Sequence, residues 1–213
     1  MDLGADRPDD PLEAELLRAA LGMPFAALRR LLELGMVDSA LARLTGEGLL
    51  GLARVEVGGD GLFQFDPGGE QRLILGVCER DVLVDLVAIS SADPNAWALR
   101  CGVAAVLGED ALADADALVC AERAAVLRLF GTPLAWLIAG GEAGSICVLD
   151  WTAAALARLR GLGSKVTLAC DDAAAAERLR GVLVRGGLPK VVAAVAEGRA
   201  VARAVTKSLR RAA

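Results

Sequence analysis

The second half of the chain constrains the fold most, because short apolar runs alternate there with Ala-rich stretches of helical length. The pattern predicts strand Ala117–Cys120 and helix Arg123–Leu129, then helix Pro133–Ala139 and strand Ser145–Leu149. It continues with helix Thr152–Leu162, strand Lys165–Cys170, helix Ala173–Arg185 and strand Lys190–Ala196. Strands without polar alternation are buried on both faces, and strands joined through helices pair in parallel. Residues 109–213 therefore read as an α/β domain with a mainly parallel sheet flanked by helices.

Two further segments precede it. Residues 1–50 read as helical. Leu12, Leu16 and Leu17 share one face, and Pro24 suits the first turn of a helix that Gly35 can end. Asp38 is placed to cap a third helix, which stops at Gly46. Helix, turn and helix suggest either a DNA-binding pair or a small packing domain. The segment is net acidic, which favours packing. Residues 51–108 read as an antiparallel β-meander with strands Gly61–Phe65, Arg72–Cys78, Leu83–Ser90 and Trp97–Arg100. Glu79-Arg80-Asp81 offers a tight polar hairpin.

Hydrophobic residues make up 55% of the 213 and aromatics only 3%, so Ala, Val and Leu must build the core. Histidine and tyrosine are absent. Ser-His-Asp and Cys-His catalysis, His general bases and His-ligated metals are thereby excluded. Cys78, Cys101, Cys120, Cys147 and Cys170 form no C-x-x-C pair and read as reduced, mostly buried thiols. No apolar run reaches the length of about 18 residues that spans a bilayer, and the acidic start lacks the order of a signal peptide. The expectation is a cytoplasmic protein with no membrane contact. The net charge is −5, yet Arg199, Arg203, Lys207, Arg210 and Arg211 leave the C-terminus basic. Such a tail can contact nucleic acid, dock a partner protein, or simply solvate a terminal helix.

One constellation can carry chemistry. Three expected strands end in acids: Glu122, Asp150, and the pair Asp171-Asp172. Ligands gather outside the carboxyl ends of parallel strands. Converging carboxylates there would suit Mg²⁺, which could orient a phosphate. The same acids can also be helix caps or first-turn charges.

Ala117-Leu118-Val119-Cys120-Ala121-Glu122 and Lys165-Val166-Thr167-Leu168-Ala169-Cys170-Asp171-Asp172, with Asp171 49 positions after Glu122, resemble the two motifs of a Toprim domain. That is the metal-dependent fold of primases, topoisomerases and related nucleases. The resemblance implies Glu122 as general acid/base, Asp150, Asp171 and Asp172 as Mg²⁺ ligands, and a role in nucleic-acid processing. Arg123 stands where the family usually has Gly, and the two Asp lack the usual spacer. Separately, Phe63-Gln64-Phe65-Asp66-Pro67, Val84-Asp85-Leu86-Val87-Ala88, Trp97-Ala98-Leu99-Arg100 and Thr132-Pro133-Leu134-Ala135-Trp136-Leu137 resemble small proteins of bacterial prophage regions. That resemblance implies a phage-related setting and no particular activity. The competing expectation is a non-catalytic interaction or adaptor protein that docks through its basic C-terminus.

Overall fold

The computed structural model describes residues 11–93, 95–141, 144–171, 173–183 and 190–193. They form two compact units, residues up to 104 with 137–140, and residues 105–136 with 141 onward.

The first unit opens with three helices, α1 (Pro11–Leu21), α2 (Phe25–Glu33) and α3 (Asp38–Gly46). Pro24 and Val37 precede α2 and α3 in extended conformation, and neither helix has a side-chain cap. Asp38 is thus the first residue of α3 and not its cap, contributing through the helix dipole instead. Five antiparallel strands follow: β1 (Leu50–Val57), β2 (Phe63–Phe65), β3 (Glu70–Glu79), β4 (Val82–Ser90) and β5 (Trp97–Leu99). They lie in the order β2-β1-β3-β4-β5. Leu62 bridges Leu99, so the curled sheet brings its two edges together at that point. Arg80 and Asp81, both at positive φ, form the two-residue β3–β4 turn, as a type I′ hairpin requires. Helix α1 shares a core with this sheet: Leu16 and Ala19 pack with Val55, Phe63, Ile74 and Leu86. Contact is close because Gly51 has no side chain. A Cβ there would stand 2.5 Å from the Ala19 carbonyl carbon. Gly51 and Ala53 also dilute the apolar pattern of β1, a strand that the sequence did not announce.

The buried Asp85 carboxylate anchors the end of this unit. Its Oδ1 accepts from the backbone N–H groups of Leu86, Arg100 and Cys101, and its Oδ2 from those of Val103 and Ala104. Five donors explain how a carboxylate survives without exposure.

The second unit holds β6 (Val106–Leu107), α4 (Glu109–Cys120), β7 (Ala125–Phe130), the first four residues of α5 (Pro133–Ile138), β8 (Ser145–Val148), α6 (Ala153–Gly161), β9 (Val166–Cys170), α7 (Ala173–Leu183) and β10 (Lys190–Ala193). The sheet order is β10-β9-β7-β8-β6, parallel except for β6, which runs antiparallel to β8. The α/β architecture with a mainly parallel sheet is therefore present. The first expected strand–helix pair is reversed, however. Residues 117–120 close helix α4, and strand β7 replaces most of the segment expected as helix Arg123–Leu129 and runs one residue past it. Ala111, Leu112 and Ala115 are buried, with Leu118 and Val119 packed beside them, so the apolar spacing continues at helical period to the end of α4. The run Ala125–Phe130 is short enough to read either way, and its place between β8 and β9 makes it the central strand. A second buried carboxylate, Glu109 at the start of α4, pairs with the exposed Arg158 of α6.

No disulfide joins the five cysteines. Cys147 and Cys170 are buried in strands, Cys78 is half-buried, and Cys101 and Cys120 are exposed. The expectation of mostly buried thiols thus holds only for Cys147 and Cys170; Cys101 follows the end of β5, and Cys120 moved from an expected strand to a helix end. Among the described residues no helix is long and apolar enough to cross a membrane.

A carboxylate site at the switch point of the parallel sheet

In the second unit β7 connects through α5 to β8 on one side, while β9 connects through α7 to β10 on the other. The carboxyl ends of β7 and β9 thus flank the point where the winding reverses, the position where open α/β sheets receive ligands. Asp171 lies there, directly after β9. Its backbone N–H donates to the Leu129 carbonyl, and its Oδ2 accepts from the Gly131 N–H at 3.0 Å. Its Oδ1 is buried without a hydrogen-bond partner, a property shared among the described residues only with Oε2 of Glu109. A buried carboxylate oxygen left unpaired is costly, which makes this position receptive to a cation or a donor. Gly131 is exposed, and a Cβ there would meet only the two Asp171 oxygens, each at 3.6 Å.

The Asp171 charge is felt across the sheet. Burial, reinforced by that charge, pushes the Cys147 thiol on β8 up to about 12. The thiol therefore stays protonated at neutral pH and is no nucleophile.

Asp150 follows β8 on the same edge and is exposed. Its backbone N–H, like that of Leu149, donates to the Ala105 carbonyl. It is not the cap of α6, because Thr152 occupies the cap position and accepts from Ala155 N–H through Oγ1. Asp150 and Asp171 are the two expected ligands that the fold places on one edge. Asp172 lies outside the described residues, as do Arg199, Arg203, Lys207, Arg210 and Arg211.

Glu122 is not on that edge. It sits between α4 and the amino end of β7, so the six residues of β7, roughly 20 Å of strand, separate it from the Gly131–Asp171 contact. Its local role is visible in the backbone. The Glu122 N–H donates to Val119 O and the Arg123 N–H to Leu118 O, the paired bonds of a Schellman helix end. Glu122 holds the left-handed residue of that motif at φ 60, a place usually taken by glycine. It is neither at a strand end, as the Toprim resemblance implied, nor in the first turn of a following helix.

Oxygen donors at Asp171 and Asp150 suit a hard cation such as Mg²⁺, which is commonly held by one or two carboxylates together with substrate phosphates. Among the described residues no three Asp, Glu or Cys side chains come together as a metal cluster. The sequence reading missed Gly131, whose signal was the Gly-Thr-Pro turn closing an apolar run. It also missed Trp151, an exposed aromatic beside Asp150.

Fold and site together define an α/β protein with a curled antiparallel sheet and a switch-point carboxylate on a mainly parallel one. No known family, curated protein or solved structure matches the chain.

Proposed function

We propose that the second unit binds a phosphate-bearing ligand together with Mg²⁺ at the carboxyl edge of β7 and β9, in the service of nucleic-acid processing. The observation that carries this reading is Asp171, with one oxygen tied to Gly131 and the other buried and unpaired at the switch point. Asp171 would hold the cation, with the exposed Asp150 adding negative charge on the same edge, and the cation would neutralise and orient the phosphate. Half of the Toprim resemblance supports the reading, since a strand, Asp171 and a helix follow one another as in that family's second motif. The other half lends no support, and the reading gives Glu122 no part in binding. The basic residues after 198 would add salt-dependent phosphate contacts.

Thermal melting of the full chain against Mg²⁺ and inorganic tripolyphosphate tests it. The melting temperature should rise with ligand concentration by mass action, and Asp171→Asn should abolish the rise. An identical response in both proteins, or none in either, would refute the proposal.

A second reading, an interaction protein, is favoured by one feature of the first unit. Leu17, Leu21 and Phe25 lie within nine residues on α1 and the start of α2, and Leu21 and Phe25 are 80% and 78% exposed. An apolar segment of a partner protein would cover them. Replacing Leu21 and Phe25 by Glu would abolish partner binding without touching the Mg²⁺ response.

A further inference from the structure

Resting on the carboxyl-edge reading above, we infer that the ligand carries a planar nucleobase, which stacks on Trp151 while its phosphates lie beside Asp171. Aromatic side chains are scarce in this chain, with three Trp, four Phe and no Tyr. Trp136 is spent in the core, its Nε1 donating to the Ser145 carbonyl. Trp151 is instead 47% exposed, immediately after Asp150 at the carboxyl end of β8. The backbone on either side of it is tied down. The Leu149 and Asp150 N–H groups before it are both tied to Ala105 O, and the Thr152 hydroxyl after it caps α6. An exposed indole on such a stem offers a face, and base–aromatic stacking accepts any base because every base has a π-face.

The spacing agrees. Strands β8 and β9 flank β7, so their carboxyl ends are two strand spacings apart, roughly 10 Å. A nucleotide spans a comparable reach from base to terminal phosphate. The edge between is acidic at Asp150 and Asp171, which would repel bare phosphate and admits it with a cation. A flat face at one end and a cation-bridged phosphate at the other is the chemistry of a nucleotide. It can come from a free mononucleotide or from the end of a single strand.

Calorimetric titration of the full chain with Mg²⁺-ATP, Mg²⁺-tripolyphosphate and Mg²⁺ with a short oligothymidylate tests the inference. ATP should bind about tenfold more tightly than tripolyphosphate. Trp151→Ala should erase that advantage while leaving tripolyphosphate binding unchanged, and Trp151→Phe should keep most of it. Equal affinities for the two ligands in the wild type, or an ATP affinity indifferent to Trp151→Ala, would overturn the stacking role and leave the Asp171 site standing. Failure of both ligands to bind would overturn the site and the stacking together. Oligothymidylate binding that requires Trp151 and exceeds that of ATP would identify a strand end as the source. Weaker binding with ATP still Trp151-dependent would identify the free nucleotide.

Discussion

Replacing Glu122 separates a conformational role from a chemical one, because the first predicts a gain in stability on substitution by glycine and the second a loss of the Mg²⁺ response. The structure places it at φ 60 in the closing turn of α4, with its side chain exposed. A residue bearing a Cβ in the left-handed region costs about 1–2 kcal/mol. Glycine removes that cost but adds freedom to the unfolded chain, an offset of about 0.4–1 kcal/mol. Glu122→Gly should therefore stabilise by about 0.5–1 kcal/mol. Glu122→Ala retains the Cβ and the strain. It gains only a few tenths of a kcal/mol, from withdrawing a carboxylate from the negative end of the helix dipole. The informative quantity is the difference between the two variants in urea midpoint at constant m-value. The Gly variant should lie higher than both wild type and Ala, and its Mg²⁺-dependent melting shift should be intact. A Gly variant less stable than wild type would refute the Schellman assignment. Loss of the Mg²⁺ response on its substitution would return Glu122 to the ligand site.

Three other perturbations follow from the geometry. Asp85→Asn leaves the Val103 and Ala104 N–H groups facing an amide instead of an acceptor, and should cost about 3 kcal/mol or more through two lost charge-assisted bonds, read as a fall in urea midpoint. Arg80→Asn with Asp81→Gly supplies the residues that a type I′ turn prefers and should raise the melting temperature; a fall would mean that the turn geometry is otherwise. Cys147 is neutral in the folded state up to about 12, against an ordinary value of 9.0, so folding binds a proton that the unfolded chain releases earlier. Its contribution is thus complete below pH 9 and lost as pH rises toward 12. Unfolding free energy should fall more steeply over that window in wild type than in Cys147→Ala, and equal slopes would contradict the burial of the thiol.

The sequence by itself determined the layers. The short, largely apolar runs at Ser145–Val148 and Val166–Cys170 read as buried strands and the Ala-rich stretches beside them as covering helices, and both are so in the fold. The hairpin at Arg80-Asp81 was equally legible, because turn chemistry is local. At residues 117–130 local information ran out. Leu118-Val119-Cys120 and Ala125–Phe130 are both short apolar runs, and only the neighbours decided between them. Buried Ala111, Leu112 and Ala115 extended the helical stripe of α4, while β8 and β9 supplied the partners of β7. That exchange moved Glu122 to the opposite end of the sheet from Asp171. Strand order did the rest. Gly131 and Asp171 are 40 residues apart in the chain and meet because β9 returns beside β7 after β8 has taken its other side. Which strands become neighbours depends on how the whole sheet buries its two faces, a quantity no window of sequence contains.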